Sequence, residues 1–187
     1  MSELLRLAQS KNTDKGTLHR AYIPVYEALF APLRNGIDPV LEVGVQYGGS
    51  IELWHDYFPA ARIYGIDIAP ARPLVGKRSV YLEGDAYTED AVRFAARFGP
   101  YAVLIDDGPH SAESQRFFIE HYSQLLTADG VLIVEDVPAV ELAHELATGV
   151  PAGFVAEVRD LRRFTVDLDG FRGADDDILV IVRRVPI

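Results

Sequence analysis

Residues 39–50 read PVLEVGVQYGGS, and the rest of the chain is organised around them. Val40, Leu41, Val43 and Val45 form an apolar, β-branched run of strand length. Gly44 falls where such a strand ends, and Gly48, Gly49 and Ser50 open a segment with helical spacing. A strand that stops at glycine and turns into a helix is how a doubly wound α/β domain receives a nucleotide-like ligand. With no Cβ, Gly44 lets a ligand approach the backbone. The order E-x-G-x-x-x-G, from Glu42 through Gly44 to Gly48, is not the dinucleotide fingerprint G-x-G-x-x-G, which lays helix-terminal amides on a pyrophosphate. A looser turn behind an acid suits a cofactor with positive charge and no phosphate, such as S-adenosylmethionine. A plain buried strand and turn is the competing reading of this stretch taken alone.

Working outward, strands and helices alternate. Residues 1–12 form a short amphipathic helix, 13–19 (TDKGTLH) a turn, and 22–33 a second helix. Strands are expected at 40–45, 62–68, 80–85, 101–107, 131–136 and 178–184, with one more between 154 and 168. Helices are expected at 51–57, 88–98, 111–126 and 140–147, those at 88 and 111 capped by Thr88 and Ser111. Asp129 and Gly130 mark a turn, and the stretches 69–79, 149–153 and 169–177, rich in proline or glycine, are rims of a site. The pattern predicts a Rossmann-like α/β fold: about seven strands, mostly parallel, covered by helices on both faces, with the last two strands antiparallel.

The length of 187 residues fits one domain, 1–38 forming a helical cap and 39–187 the core. The absence of cysteine excludes disulfides and fits a cytoplasmic protein. The first residues lack the basic-then-apolar order of a signal peptide, and no apolar run approaches a membrane span. A formal net charge of −10 argues against nucleic acid as partner.

Ligands of open α/β sheets lie beyond the carboxyl ends of the strands, and here those ends are acidic. The first strand gives Glu42 and Gly44, the second Asp67, the third Asp85, the fourth Asp106 and Asp107 with His110 close behind, and the fifth Glu135 and Asp136. Such a crowd of like charges is costly unless cations sit among them. Asp67 follows the glycine turn at roughly the 20-residue spacing of an acid that accepts from ribose hydroxyls. Asp85 is placed to accept from an adenine amino group, with the Ala86 N–H beside it, or else to cap the helix at Thr88. Asp107, Glu135 and Asp136, at the ends of adjacent strands, offer the all-oxygen ligand set that Mg²⁺ prefers. Zinc is disfavoured without cysteine and with one nearby histidine. Asp106 and Asp107 point opposite ways along a strand, so only one is a good ligand. Asp107 is the choice because it lies nearer His110, which leaves Asp106 with the cofactor contacts. His110, in a turn beside a cation, suits a general base, while His19 and His55 have weaker claims. Lys15 and Thr17 either contact the carboxylate of an amino-acid-like cofactor or shape a loop.

Taken together, LEVGVQYGGS, IELWHDYFPAARIYGIDI, LIDDGPH and VLIVEDV resemble the class I, Mg²⁺-dependent O-methyltransferases of antibiotic sugars, such as those of mycinamicin and tylosin, and are similar to the cephalosporin hydroxylase-like proteins. TDKGTLHRAY and DDDILVIVRR belong to the same pattern. The resemblance implies S-adenosylmethionine and Mg²⁺ as cofactors, Asp107, Glu135 and Asp136 as metal ligands, and His110 as base. It places cofactor contacts at Glu42, Gly44, Asp67, Asp85 and the turn at 15–17. The implied reaction methylates a hydroxyl of a sugar or glycoside. Pro109 stands where the family pattern has serine, and the extra N-terminal sequence of the sugar enzymes is missing from the chain. Acceptor recognition then differs, or a neighbouring subunit of a homo-oligomer completes it. The alternatives are a catechol-like or polyketide hydroxyl as acceptor, an NAD-linked oxidoreductase, and a non-catalytic cofactor-binding protein.

Overall fold

The computed structural model describes residues 2–69, 76–162 and 177–186. Most of the expected rim at 69–79, nearly all of that at 169–177 and the end of the 154–168 segment lie outside them. In chain order the elements are α1 (Glu3–Gln9), α2 (Tyr22–Phe30), β1 (Val40–Val43), α3 (Gly49–Tyr57), β2 (Ile63–Asp67), β3 (Ser79–Glu83), α4 (Glu89–Ala95), β4 (Tyr101–Asp106), α5 (Ala112–Tyr122), β5 (Leu126–Val134), α6 (Val140–Thr148), β6 (Phe154–Asp160) and β7 (Ile178–Arg184). The strands form one seven-stranded sheet in the order β3-β2-β1-β4-β5-β7-β6. The pairs from β3 to β5 are parallel, and β7 runs antiparallel to both β5 and β6. This is the expected Rossmann-like α/β arrangement, with the closing pair antiparallel as read.

The period of two along each strand divides the core. Val40, Val103, Ile105, Val131 and Ile133 face a layer that includes Leu4, Tyr22, Tyr26, Phe30 and Trp54, from α1, α2 and α3. Leu41, Val43, Leu104, Leu132 and Val134 face Ala95, Phe118, Tyr122, Ala143 and Leu146, from α4, α5 and α6. Both faces of the sheet are therefore dry, which is what near-continuous apolar strands require. Among the described residues no helix is long and apolar enough to cross a membrane.

Four features differ from the sequence expectation, each for a local reason. β1 stops at Val43 because Gly44 (φ 86°) and Gln46 (φ 47°) leave the extended region. β5 ends at Val134 because Asp136 adopts φ 50°. The turn expected at 129–130 lies inside β5, as a register shift between the Tyr101 and Val103 pairings. The long helix breaks at Tyr122 into a 3-10 turn over Ser123–Leu125. Thr88 and Ser111 cap α4 and α5 as expected, accepting from the Ala91 and Ser114 amides.

The strand order reverses between β1 and β4, and the turns beyond these two strands touch. A Cβ on Gly44 would come 1.8 Å from the Asp107 carbonyl oxygen, so glycine is required there by the fourth strand's turn as well as by any ligand. Gly49 meets the Asn12 carbonyl oxygen in the same way, at 1.8 Å, which seats the N-terminal segment over the start of α3. Because both neighbours are backbone, Gly49→Ala is expected to lower unfolding stability by about 1–3 kcal/mol in urea titration, with the fold retained.

Candidate active site

Beyond the β1 and β4 ends lies a cavity of about 1060 Å³. Gly44, Asp67, Asp85, Ala86, Asp107, His110 and Asp136 all contribute to its wall, as do Lys15 and Thr17. Asp67 clamps the glycine turn: its Oδ2 accepts from the Val45 and Gln46 amides at 2.8 Å each, and Oδ1 accepts from the Ala69 amide at 2.9 Å. Asp85 Oδ1 accepts from the Tyr87 amide at 2.9 Å, and the Ala86 carbonyl accepts from the Tyr122 hydroxyl.

Glu42, Asp106 and Glu135 are placed differently from the other expected residues. They are buried and do not belong to the cavity wall. Glu42 accepts from the Ser50 hydroxyl at 2.6 Å, and burial, partly opposed by Lys15, raises its carboxyl to about 7. Asp106 accepts from the Tyr87 hydroxyl, and burial raises it likewise to about 7. Glu135 accepts from the Tyr26 hydroxyl through one oxygen and faces the Lys15 ammonium, 2.9 Å away, with the other.

Lys15 is buried to 1% exposure, with Nζ at 2.6 Å from Asp107 Oδ2, 2.9 Å from Glu135 Oε2 and 3.7 Å from Glu42 Oε1. Burial works against its charge, but these acids outweigh that and hold its pKa above the ordinary lysine value. A second cation lies one turn further on. His19 Nδ1 is 2.7 Å from Asp177 Oδ1 and 3.5 Å from Asp136 Oδ1. Its burial favours the neutral ring, yet Asp177 and Asp136 raise its pKa to about 9. Asp136 also accepts from the Tyr22 hydroxyl; its own pKa is raised by burial, against the pull of His19.

His110 stands between the two acids that face the cavity. Its Nε2 is 3.9 Å from Asp107 Oδ1 and 3.8 Å from Asp136 Oδ2. The three groups present atoms within 4.8 Å of one another. His110 and Asp136 both hold left-handed backbone conformations, φ 54° and 50°, as does Gln46 in the first turn. For residues other than glycine that conformation costs on the order of 1–3 kcal/mol each and collects where function requires a fixed side-chain direction.

The chain is similar to known proteins in sequence and in fold. No protein-family model matches the chain. It is 34% identical over 145 residues to the 8-demethyl-8-(2-methoxy-alpha-L-rhamnosyl)-tetracenomycin-C 3'-O-methyltransferase of Streptomyces olivaceus, covering 72% of this chain and 37% of that enzyme. To the mycinamicin VI 2''-O-methyltransferase of Micromonospora griseorubida it is 32% identical over 144 residues, 72% of this chain and 36% of the enzyme. The chain is a homologue of the sugar O-methyltransferases of antibiotic biosynthesis. It spans less than half the length of these relatives. The MycE methyltransferase of the mycinamycin pathway, solved with Mg, S-adenosylhomocysteine and mycinamycin VI, superposes with a TM-score of 0.72 at 24% identity, over 99% of this chain and 54% of that one. The methyltransferase fold is thus shared nearly end to end on this side.

Several contributors to this homologue's site were missed in the sequence. Tyr22 and Tyr26 fell inside the expected helix at 22–33 with no role of their own, yet their hydroxyls hold Asp136 and Glu135. Their spacing of one helical turn was the available signal. Asp177, from the closing DDD run, gave no sign that it would pair with His19 across the fold. Gln115, on α5, donates its side-chain amide to the Glu135 carbonyl at 3.1 Å. The His19–Asp177 pair has a pH signature. A folded-state pKa of about 9 against an ordinary 6.5 stabilises the fold fully below pH 6.5, and the contribution is lost as pH rises through about 9. In EDTA, the wild type is expected to lose stability across that window by thermal melting, and His19→Gln to lose that dependence.

Proposed function

We propose that this chain carries the catalytic domain of an S-adenosylmethionine- and Mg²⁺-dependent O-methyltransferase acting on a sugar hydroxyl of a glycosylated natural product. The observation that carries the reading is His110, poised between Asp107 and Asp136 at the strand-order switch of a methyltransferase fold. The homology to sugar O-methyltransferases and the ligands of the MycE structures support the choice of cofactor and acceptor class.

The residues fit the two implied groups. A cavity of about 1060 Å³ stands at the upper end of small-molecule sites, commonly about 300–1000 Å³, and has room for cofactor and acceptor side by side. Asp67 spends three of a carboxylate's roughly four acceptor positions on the Val45, Gln46 and Ala69 amides. The remaining one, on Oδ1, is available to a ribose hydroxyl. Asp85 and the Ala86 N–H are offered to the adenine, while Gly44 and Thr17 shape the wall nearby. For the metal, the donors are carboxylates in excess of the buried Lys15 and the partly buried His19. Asp107 and Asp136 would hold a divalent ion from the cavity side, with Glu135 behind them. Bound there, Mg²⁺ supplies the Lewis acidity that lowers the pKa of a neighbouring hydroxyl.

The chain's own groups do the rest. Tyr22 and Tyr26 fix the acids through their hydroxyls, and Asp67 holds the turn against which the cofactor lies. His110 takes the proton of the acceptor hydroxyl as the methyl carbon is transferred, a contribution of about 10²–10⁴-fold for a positioned base. The remainder is alignment of oxygen, carbon and sulfur in a closed site.

Calorimetric titration is expected to show S-adenosylhomocysteine binding and no NAD binding, with Asp67→Ala weakening the former about tenfold or more. Product mass spectrometry with S-adenosylmethionine, glycosylated macrolides, nucleotide sugars and catechols reads the acceptor class. NAD binding without S-adenosylhomocysteine binding would overturn the reading. In the active enzyme, EDTA is expected to stop turnover and Mg²⁺ to restore it. His110→Ala should lower kcat by about 10²–10⁴-fold with cofactor affinity unchanged; unchanged kcat would remove His110 from the mechanism.

A further inference from the structure

Lys15 is the buried charged group that this mechanism leaves without a task. It is delivered by a 3-10 turn, Asp14–Gly16, whose cap residue Thr13 accepts from the Lys15 amide. The turn is pressed onto α1 so tightly that a Cβ on Gly16 would lie 2.7 Å from the Ala8 carbonyl carbon. The side chain thus enters the acid cluster from a backbone with little freedom to withdraw. Its ammonium meets oxygens supplied by β1 and by the residues just after β4 and β5: Glu42, Asp107 and Glu135. Those three acids bring oxygens within 4.8 Å of one another. Glu42 Oε1 is the telling atom. It is buried, it accepts no hydrogen bond of normal geometry, and Lys15 Nζ stands 3.7 Å away. Beside the Trp54 indole, Lys15 is the charge that faces this carboxylate, and a buried carboxylate oxygen in that condition is costly unless a cation or a proton meets it.

Asp107 divides the cluster. Its Oδ2 is held by Lys15, and its Oδ1 is turned toward His110 and the cavity. In the inner half, Glu42 and Glu135 are buried behind the cavity wall and meet the partly exposed Asp107 through Lys15. The outer half, Asp107 with His110 and Asp136, belongs to the cavity wall.

We propose that the Lys15 ammonium is a built-in cation holding the inner half of the acid cluster, a place that a divalent ion takes when the lysine is removed. Lys15 is then a positioning residue: it fixes which oxygen of Asp107 reaches the cavity and keeps metal out of the interior. This deepens the metal-dependent reading above, and it is tested without cofactor, acceptor or turnover, so the two can fail separately.

The test compares wild type with Lys15→Met, which keeps an unbranched side chain one atom shorter and removes its charge. In EDTA, Lys15→Met is expected to melt about 10 °C or more below wild type, since breaking a buried pair leaves uncompensated charge. Mn²⁺ should restore most of that loss by binding the folded state. Electron paramagnetic resonance titration should count one more bound Mn²⁺ per chain than in wild type. Equal melting temperatures in EDTA, or the same Mn²⁺ count in both proteins, would overturn the proposal. Should Lys15→Met fail to fold even in Mn²⁺, Lys15→Met with Glu42→Gln decides, because it returns the cluster to its original net charge. The double variant is expected to fold and to bind no extra Mn²⁺; failure to recover the fold would count against the proposal. A wild type that binds no Mn²⁺, beside a variant that gains one, would sink the metal-dependent function and leave the assignment of Lys15 standing.

Discussion

Carboxylates supplied by β1, β4 and β5 converge in one place, and the N-terminal segment exists in its observed position because it brings the cations to them. Two like charges about 4 Å apart repel by roughly 4 kcal/mol at an effective dielectric near 20. Glu42, Asp107, Glu135, Asp136 and Asp177 contain several such pairs in reach of Lys15 and His19. Removing the first 20 or so residues would leave those charges facing each other. The direction of the shifts agrees: Lys15 and His19 are held charged, while burial pushes Glu42, Glu135 and Asp136 toward protonation.

Backbone contacts make this electrostatic arrangement rigid. Gly16 on Ala8, Gly49 on Asn12 and Gly44 on Asp107 are three places where only a hydrogen fits. The first two seat the N-terminal segment against α1 and α3, and the third locks the β1 turn to the β4 turn. Between them they fix the path that brings Lys15 inward. Tyr22 and Tyr26, on α2, then approach the same acids from the other side, packed in a run of aromatic contacts through Phe30 to Trp54. Aromatic packing sets the reach of the hydroxyls, and the hydroxyls set the direction of Glu135 and Asp136.

Much of this was legible in the sequence because it rests on short-range patterns. Strand periodicity, the glycine break after Val43 and the acids at successive strand ends are local facts, and the sheet follows from their alternation. The convergence of acids at the strand ends was readable for the same reason. Strand alternation also separated Asp106 from Asp107, but what each buried carboxylate meets could not be read. Asp106 and Asp107 are adjacent, and pleating alone sends one under Tyr87 and the other into the cavity. Glu135 and Asp136 are adjacent too, but a left-handed residue at Asp136, not strand alternation, separates them. Lys15 read as a cofactor contact or a loop-shaping residue, because turn chemistry says nothing about a partner at Asp107. His19 meeting Asp177 depends on how the two ends of the chain meet, which no local pattern encodes.

The same geometry discriminates among the histidines as candidate bases. A base must be neutral at the working pH and must face the substrate. His19 is close to the acids, but Asp177 and Asp136 hold it protonated up to about pH 9, and its Nδ1 is already committed to Asp177. It can orient Asp136; it has no lone pair to offer near neutrality. His55 lies on α3 with its Nδ1 3.3 Å from the exposed Asp56 and does not belong to the cavity wall. The tyrosines nearest the acids, Tyr22 and Tyr26, are driven by burial and by Asp136 and Glu135 far toward the neutral phenol; their protons are committed to those acids, and the Tyr22 oxygen accepts from the Asp136 amide. His110 alone among the described cavity-lining residues combines a ring nitrogen facing Asp107 and Asp136, beyond hydrogen-bond distance from both, with exposure to the cavity. Within the function proposed above, that geometry favours His110 over His19 as the base.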